Sequence, residues 1–383
     1  MKKTVIVLVF LLIGIVSQVI GSEPIGVFVN SNTDSIQFIN PLTQELSPSL
    51  LKGTLGNYSG SLLNVVITSD GKKAIVSDVR NRQLIFIDIS GGFQGTPVIL
   101  GRTDLLVNPL DITLTPDDKY LLVTTGMTPK EQARASMPVA DYNVATINMS
   151  TMEANYFRSD NIGFFSSVDI TPDGKTVLFL DYFLNQIHSY DINGATGELQ
   201  FKEIVYLPLY YPSSLSISPD GKTVLVAVES SYKIIALSFY DDNKLHLNGL
   251  VDLPHKSGQS FTFSKDGTKA YCFTNNASLM LSDSQSRAVP TNQSQVVTLN
   301  ITAPGVVTVG DVIPLSIPKG STIPSFSKNI AIDPSGNYLY ITNAGTYEGV
   351  VEITVIDLIT QTEVNQLHAN GIPLGIAFGT INN

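Results

Sequence analysis

The feature of this 383-residue sequence that most constrains its fold is a hairpin motif that recurs six times. Each copy has a short apolar strand, a tight turn built around Asp and Gly, and a second apolar strand, as in Ile170-Thr-Pro-Asp-Gly-Lys-Thr-Val-Leu178. One copy has Asp118 where the others have Gly. Self-similarity at a period of some tens of residues indicates a repeat architecture. The turn positions are Asp70, Asp117, Asp173, Asp220, Asp266 and Ser335.

One repeat divides into four strands. Around Asp173 we expect strands at Ser166–Ile170, Lys175–Leu180, Gln186–Ile192 and Glu198–Leu207. Apolar and β-branched residues dominate these segments, and Pro and Gly occupy turn positions that suit their backbone preferences. No stretch has a convincing helical period. Four antiparallel strands in a unit of roughly 45 residues are typical of a β-propeller blade.

The two ends of the chain supply a seventh blade beside the six hairpins. Gly371–Phe378 reads as an innermost strand, whereas Gly26–Asn30 and Ser35–Ile39 read as second and third strands that lack an inner one. Pairing them would close the ring and remove two open sheet edges. The sequence therefore predicts an all-β, seven-bladed propeller of four-stranded antiparallel blades, with rings of eight or six blades as the alternatives.

Several segments resemble one known repeat family. Tyr340-Ile-Thr-Asn343 and Val27-Phe-Val-Asn30 are similar to the Tyr-Val-Thr-Asn repeat, and Leu84-Ile-Phe-Ile-Asp-Ile89 matches the strand that continues it. With the Pro-Asp-Gly turns, the chain resembles the YVTN family of seven-bladed propellers over essentially all of the expected mature chain. The resemblance implies this fold and a wider superfamily that includes lactonase-like and surface-layer-type proteins. Its members include binding proteins and enzymes, so the resemblance leaves the activity open.

The first residues are typical of a secretory signal. Met1-Lys-Lys precedes an apolar run from Val5 to Val16, and tolerated cleavage residues precede Ser22. The run is shorter than the roughly 20 apolar residues that span a bilayer. We therefore expect a signal peptide at residues 1–21, a single propeller domain at residues 22–383, and no transmembrane segment in the mature chain. Export to the periplasm, the cell surface or the medium follows.

Charge and cysteine content narrow the class of partner. The formal net charge is −10, which disfavours nucleic acid as a partner because such binding depends on neutralising phosphates with Lys and Arg. The lone Cys272 cannot form a disulfide within the chain and is expected to be a small buried hydrophobe. We expect a monomer that binds a protein, a glycan or a small molecule.

Three long segments indicate which face of the ring carries function. Gly126 to Tyr142 and Asn275 to Gln295 join second to third strands, and Ser316 to Lys328 leads into a first strand. In an antiparallel blade these connections all lie opposite the Asp/Gly turns. Long connections without regular structure are uncommon unless they are functional or disordered, although drift at tolerated surface sites is the alternative. We therefore expect the binding site on this loop-rich face.

Polar and aromatic residues in the short loops of that face are the candidate ligand-binding residues. Arginines could pair with an anionic group, and tyrosines could stack on a ring or a sugar. Taken singly, Asp78 and Asp181 could equally cap turns, and the arginines could form surface ion pairs. The candidate set is Asp78, Arg80, Arg82, Asp181, Tyr182, Glu229, Tyr232, His255 and Asn343.

Motifs for metal, cofactor or nucleophilic chemistry are not found in the sequence. The four histidines have no metal-ligand spacing, and the Asp/Gly runs read as turns rather than calcium loops. No Gly-rich phosphate loop, nucleophile elbow or haem-attachment motif is present. We therefore expect neither a metal nor a cofactor, and assign no catalytic residue.

Three functions remain open from the sequence. The first is a non-enzymatic exported propeller that presents the loop-rich face to a protein, glycan or small ligand. The second, implied by the superfamily, is a lactonase-like hydrolase that uses Glu229 or Asp181 with Arg80 and His255 at the channel mouth. The third is a docking subunit of a periplasmic redox complex. The first is our expectation, because no catalytic constellation can be assembled from the sequence.

Overall fold

A computed structural model gives the structure of residues 22–55, 61–125, 143–157, 163–229, 231–240, 243–254, 257–274, 294–316, 329–344 and 351–382. Within these ranges the regular structure is almost entirely β-strand, apart from a single 3₁₀ turn at Ser31–Thr33. No helix in this part of the chain has the length and hydrophobicity needed to cross a bilayer. The segment expected to be a signal peptide lies outside these ranges.

The strands group into seven sheets of four antiparallel strands each, and the sheets form a ring. In chain order the first fifteen strands are β1 (Glu23–Asn30), β2 (Ser35–Asn40), β3 (Glu45–Leu46), β4 (Leu62–Ile67), β5 (Lys73–Asp78), β6 (Gln83–Asp88), β7 (Val98–Asp104), β8 (Pro109–Leu114), β9 (Tyr120–Thr125), β10 (Val144–Asn148), β11 (Ala154–Phe157), β12 (Phe165–Ile170), β13 (Thr176–Asp181), β14 (Gln186–Ile192) and β15 (Leu199–Tyr206).

The remaining strands complete the ring, which confirms the predicted fold class and number of blades. They are β16 (Pro212–Ile217), β17 (Thr223–Val228), β18 (Lys233–Phe239), β19 (Leu245–Asp252), β20 (Ser257–Phe263), β21 (Lys269–Thr274), β22 (Ser294–Ala303), β23 (Val306–Leu315), β24 (Ile330–Ile332), β25 (Tyr338–Ala344), β26 (Val351–Asp357), β27 (Thr362–His368) and β28 (Pro373–Ile381). Blades 1 to 6 are β4–β7, β8–β11, β12–β15, β16–β19, β20–β23 and β24–β27.

Blade 7 joins the two ends of the chain in one sheet, in the order β28-β1-β2-β3. The antiparallel register places Glu23 opposite Ile381 and Asn30 opposite Pro373. Tyr340 of blade 6 packs against Phe378 of this inner strand, with 4.7 Å between ring centroids. The predicted closure of the ring by the first and last strands is therefore confirmed.

The repeated turns have a common hydrogen-bond pattern. In blade 3 the Thr171 hydroxyl donates to Asp173 Oδ1 at 2.7 Å, and that oxygen also accepts the Lys175 N–H at 3.1 Å. Gly174 has a φ of +69°, a left-handed conformation that most residues with a Cβ avoid. A hydroxyl residue, an Asp and a Gly fix the same turn in blades 1, 3, 4 and 5, which explains why the motif recurs.

Apolar residues of the second and third strands form the core between neighbouring blades. One cluster joins Leu178 and Ile187 of blade 3 to Val224 and Ile235 of blade 4, all fully buried. Cys272 is also fully buried, within β21. Each blade therefore packs its two faces against two neighbours, which is how a repeat fold exceeds the size of an ordinary single core.

The inner strands run from the loop-rich face toward the Asp/Gly turns and line the central channel. The strand ends that flank the three long segments all lie at the loop-rich edge, at the ends of β9 and β21 and the start of β24. The segments at 126–142, 275–293 and 317–328 lie outside the described residues. The described part of this face includes the short loops of blades 1, 3 and 4, which carry Arg80, Tyr182 and Glu229.

Candidate functional site

In blade 1, Asp78 caps the turn that follows β5. Its Oδ1 accepts the Asn81 backbone N–H at 3.0 Å, and its Oδ2 accepts the Asn81 side-chain amide at 2.6 Å. The side chain of Asp78 is fully buried. Both of its oxygens are thus engaged within the loop, so its role there is to hold the turn.

A second acidic side chain, which the sequence did not single out, lies beside Asp78. Burial raises the pKa of Asp34 in blade 7; the charge of Asp78 raises it further, and the charge of Arg80 lowers it. Ser61 donates a hydrogen bond to Asp34 Oδ1 at 3.3 Å. Arg80 therefore lies in an acidic group between blades 7 and 1. Arg82 is half-buried, and its carbonyl accepts the N–H of Leu105 at 2.7 Å.

In blade 3, Asp181 occupies the position that corresponds to Asp78. Its Oδ1 accepts the backbone N–H groups of Phe183 and Leu184 at 3.0 and 2.8 Å. The side chain is fully buried, and this burial raises its pKa to about 6 against the opposing effect of the N–H donors. A buried carboxyl group that titrates near neutral pH is a frequent feature of functional sites.

Tyr182 and Glu229 meet across the boundary between blades 3 and 4. The Tyr182 hydroxyl donates a short hydrogen bond to Glu229 Oε2. Burial raises the pKa of Tyr182, and the hydrogen bond to Glu229 raises it further. The phenol therefore stays protonated and acts as the donor, while the carboxylate acts as the acceptor.

Tyr211 adds a third group to this pair. Its backbone carbonyl accepts the N–H of Glu229 at 2.9 Å, and its ring centroid lies 5.3 Å from that of Tyr182. Tyr182, Tyr211 and Glu229, which we name the tyrosine–glutamate group, thus constrain one another. Tyr232, in the next loop of blade 4, is 49% exposed, and its carbonyl accepts the N–H of Leu253 at 2.6 Å.

Two predicted residues cannot be placed in the same detail. His255 lies outside the described residues. Asn343 lies in β25, opposite Glu352 of β26, and the structure describes its backbone only. A different histidine, His188, is described in full: it is fully buried in β14, and burial lowers its pKa to about 4.

The predicted residues therefore fall into separate groups. Asp78 and Arg80 lie with Asp34 at blades 7 and 1, whereas Tyr182 and Glu229 lie at blades 3 and 4. Blade 2 and most of blade 3 separate Arg80 from Glu229 around the ring. No contact of the described residues joins Arg80 to Glu229 or Asp181, so the sequence-based combination of these residues has no direct geometric support.

The sequence reasoning missed a cavity in the central channel. The cavity has a volume of about 260 Å³ and is lined by inner strands of several blades. The polar residues that line it are two Asp, six Ser and one Thr, namely Asp111, Asp169, Ser166, Ser167, Ser213, Ser214, Ser216, Ser260 and Thr262. Such a lining suits a small ligand rich in hydroxyl groups.

Part of this lining also ties the blades together. Asp111 Oδ2 accepts the hydroxyl of Ser167 at 2.9 Å, and its Oδ1 accepts the amide of Asn64 at 3.2 Å. Asp169 accepts the backbone N–H of Ile170 and that of Ile217, both at 2.9 Å. A signal for these residues was present in the sequence: the residue six positions before the turn Asp or Ser is polar in all six repeats, as Asn64, Asp111, Ser167, Ser214, Ser260 and Asn329.

The cavity extends along the inner strands, from Ser213 near the loop-rich face to Ile217 beside an Asp/Gly turn, and the tyrosine–glutamate group adjoins its loop-rich side in sequence. Ser213 lines the cavity two residues after Tyr211, and the Ser166 hydroxyl donates to the carbonyl of Pro212 at 3.3 Å. Among the described residues, no three His, Cys, Asp or Glu side chains are grouped so that they could hold a metal ion. A carboxylate held in position by a hydrogen bond, as Glu229 is by Tyr182, can accept a proton from a bound water or hydroxyl.

One known protein family matches the part of the chain that carries this site. The family described as "Lactonase, 7-bladed beta-propeller" matches residues 138–249, which include the whole tyrosine–glutamate group. No sequence among the curated proteins matches the chain. The match covers blade 3, most of blade 4 and the last two strands of blade 2.

Solved structures show the same fold at low sequence identity. A functionally unknown protein from Desulfotomaculum acetoxidans has 16% identity and a TM-score of 0.72, over 93% of this chain and 98% of that one. A provisionally named 6-phosphogluconolactonase from Bacteroides fragilis has 18% identity and a TM-score of 0.67, over 94% and 99%. The periplasmic gluconolactonase of Pseudomonas aeruginosa has 14% identity and a TM-score of 0.66, also over 94% and 99%.

These comparisons correct the expected function. The expectation of a non-enzymatic binding propeller is wrong, because the matching family and two of the three structures are named as lactonases. They favour the lactonase-like alternative instead. The resemblance inferred from the repeats is confirmed at this level: the chain is a seven-bladed β-propeller, and its residues 138–249 match the model of a lactonase propeller family.

Proposed function

We propose that this chain hydrolyses a lactone at the loop-rich mouth of its channel, between blades 3 and 4. The observation that carries the proposal is the Glu229 carboxylate held by the Tyr182 hydroxyl within the segment that matches the lactonase family. Glu229 is partly exposed, so water can reach it. A positioned carboxylate of this kind is a suitable general base.

In the proposed reaction Glu229 takes a proton from a water molecule as the water oxygen attacks the lactone carbonyl carbon. The bond between that carbon and the ring oxygen then breaks, and the ring oxygen receives the proton from Glu229. The product is the open-chain hydroxy acid, and the carboxylate is regenerated. Tyr182 holds one oxygen of Glu229, which leaves Oε1 to meet the water.

The cavity favours an uncharged, polyhydroxylated lactone over a phosphorylated one. Its described lining has two carboxylates, Asp111 and Asp169, and no Lys or Arg. A phosphate group there would meet like charge without a compensating cation. Serine and threonine hydroxyls, in contrast, can donate to and accept from the hydroxyl groups of a sugar-derived lactone.

The test is hydrolysis of glucono-1,5-lactone and its 6-phosphate by the purified chain. The reaction is monitored through the protons it releases, and the rate of spontaneous hydrolysis is subtracted. Glu229→Gln should lower kcat/KM by about a hundredfold or more, the usual effect of removing a general base. Glu198→Gln is the matched control. Glu198 also accepts a hydroxyl hydrogen bond, from Thr196 at 3.2 Å, but it is exposed at the opposite face.

Each result of this assay decides a different point. Loss of turnover in Glu229→Gln but not in Glu198→Gln would support both the activity and the site. Full turnover in Glu229→Gln would exclude the proposed base. Lack of turnover above the spontaneous rate, for a panel of five- and six-membered sugar lactones, would overturn the proposed function.

We also propose that the chain acts outside the cytoplasm, on the basis of its amino-terminal sequence. The mass of the chain recovered from each cell fraction tests this. A chain that begins at Ser22 in the periplasm or the medium would support export, and a full-length chain confined to the cytoplasm would exclude it.

A further inference from the structure

An aromatic surface adjoins the candidate site on blades 3 and 4. It consists of Tyr182 and Phe183, which follow β13, and Tyr210 and Tyr211, which precede β16; we name these four residues the aromatic platform. The exposed fractions are 48% for Phe183, 75% for Tyr210 and 52% for Tyr211. Clustered exposed apolar side chains mark interaction sites, whereas isolated ones do not.

The rings of the platform support one another. The centroid of Tyr182 lies 5.0 Å from that of Phe183 and 5.3 Å from that of Tyr211. Phe164 lies 5.3 Å from Phe183 and 5.8 Å from Tyr182. These separations fall in the range of favourable aromatic pairs. The rings of Tyr182, Phe183 and Tyr211 are therefore held in position before any ligand arrives, which reduces the entropy lost on binding, whereas Tyr210 is the most exposed ring of the four.

The backbone of Tyr211 is strained. Its φ is +62°, in the left-handed region that a bulky side chain rarely adopts. The side-chain oxygen of Asn185 accepts the Tyr211 N–H at 2.9 Å and holds this conformation. Glycine would adopt the same φ without strain, so an exposed tyrosine there indicates that the ring itself is needed.

The polar groups around the platform indicate the chemistry of its occupant. Glu229 contacts it directly, and Lys233, which begins the next strand of blade 4, is paired with Asp252. With a net charge of −10 on the chain, an anionic polymer or an anionic membrane is disfavoured. A neutral sugar fits best: the C–H face of a pyranose packs on an aromatic ring, while tyrosine hydroxyls and carboxylates bind its hydroxyls.

The platform is continuous with the proposed catalytic group because Tyr182 belongs to both. A chain of sugar rings lying on Tyr210, Tyr211 and Phe183 would present its end to Glu229. We propose that the platform binds the neutral sugar rings of an oligosaccharide whose terminal ring is the lactone that is hydrolysed. This inference rests on the proposed function and narrows its substrate class from single-ring lactones to lactone-terminated oligosaccharides.

The first experiment compares kcat/KM for glucono-1,5-lactone with that for the lactones of cellotriose and maltotriose. The wild-type chain should prefer at least one trisaccharide lactone by about tenfold, since one aromatic contact gives up to roughly that factor. Tyr210→Ala should reduce this preference severalfold. Phe201→Ala is the matched control, because Phe201 is 54% exposed on β15, the outermost strand of the same blade, and packs on Tyr190.

The second experiment measures binding without hydrolysis. The chain has 15 Tyr and no Trp, so tyrosine emission can report a sugar bound over the platform. Cellohexaose and maltohexaose are titrated into Glu229→Gln and into Glu229→Gln/Tyr210→Ala. Saturable quenching that weakens severalfold in the double variant would support the platform.

The outcomes separate this inference from the proposed function. Lactone hydrolysis without a length preference, together with no oligosaccharide binding, would overturn the platform and leave the hydrolase intact. Oligosaccharide binding without any lactone turnover would overturn the hydrolase and the lactone terminus, and leave a glycan-binding surface. A length preference that Phe201→Ala reduces as much as Tyr210→Ala would also overturn the platform, since the effect would then be indirect.

Discussion

Asp118 Oδ2 accepts two hydrogen bonds from Ser69, one from its backbone N–H at 2.7 Å and one from its hydroxyl at 2.6 Å. Asp118 stands where the other repeats have the turn Gly, and it takes the same left-handed conformation with a φ of +55°. The contact joins the turn of blade 2 to the turn of blade 1. The departure from the repeat is therefore compensated by an added link between blades.

Replacing Asp118 should separate the contribution of its hydrogen bonds to Ser69 from the cost of its left-handed backbone conformation. Asp118→Ala loses both hydrogen bonds and keeps the backbone strain, so we expect a loss of about 1–2 kcal/mol in the free energy of unfolding. Asp118→Gly also loses the bonds but relieves the strain, so its loss should be smaller. Denaturant unfolding of the two variants and wild type measures this. Equal stability of Asp118→Ala and wild type would show that the link contributes nothing.

The Gly71 turn should tolerate no larger residue, because it packs against the closing strand. A Cβ at Gly71 would lie 2.3 Å from the Thr380 carbonyl oxygen, and the φ there is +71°. Gly53 has the same φ but open space around it, so it is the matched control. We expect Gly71→Ala to cost about 2–4 kcal/mol and Gly53→Ala about 1 kcal/mol. Similar losses in the two variants, measured by denaturant unfolding, would contradict the close contact.

Asp181 and His188 should give blade 3 two opposite pH dependences. The folded pKa of Asp181 is about 6, above its unfolded value of 3.8, so its destabilising effect is complete above pH 6 and disappears as pH falls toward 3.8. The folded pKa of His188 is about 4, below its unfolded value of 6.5, so its effect is absent above pH 6.5 and grows as pH falls to 4.

The free energy of unfolding of Asp181→Asn, taken relative to wild type, should therefore be higher at pH 7.5 than at pH 4, by about 2–3 kcal/mol. His188→Asn should show the reverse trend. Free energies of unfolding at both pH values measure the two differences. A pH-independent difference for Asp181→Asn would mean that its carboxyl group titrates normally.

Tyr182 and Glu229 should act as a unit in hydrolysis. Tyr182→Phe removes the hydroxyl that orients the carboxylate, so kcat/KM should fall by about tenfold. The double variant Tyr182→Phe/Glu229→Gln should lose no more than Glu229→Gln alone, because the phenol acts only through the carboxylate. Additive losses in a double-mutant cycle would assign Tyr182 a separate role.

The strain at Tyr211 predicts an unusual order of stability. Glycine should be at least as stable as alanine at position 211, because only glycine relieves the left-handed φ of +62°. At Tyr210, whose φ is not in that region, the ordinary order should hold, with Ala more stable than Gly by about 0.5–1 kcal/mol. Thermal unfolding of the four variants tests this, and the ordinary order at both positions would contradict the strain.

Most of the fold could be predicted because it repeats. The strand predicted at Lys175–Leu180 is found at Thr176–Asp181, and the inner strand predicted from Gly371 begins at Pro373. Hydrophobic pattern and turn residues are local signals, and six copies make them unmistakable. The closure of the ring could be predicted because the first strands of the chain lacked an inner strand, and the segment from Gly371 could supply it.

The candidate site could be predicted only in part. Tyr182 and Glu229 were named as loop residues, but their hydrogen bond depends on how two blades are oriented around the ring. The role of Tyr211 depends on its left-handed backbone, for which a tyrosine gives no sequence signal. Asp111 and Asp169 were missed because they lie inside strands, where the sequence reasoning looked for core residues.

The antiparallel pairing of β1 with β28 has a consequence for biosynthesis. Translation produces β1 well before β28. The pairing of Glu23 with Ile381 therefore forms only after more than 350 further residues have been synthesised. Until then a nascent chain carries an unpaired edge that neighbouring chains could capture. A chain terminated before Pro373 would lack β28 and would leave that edge of blade 7 unpaired.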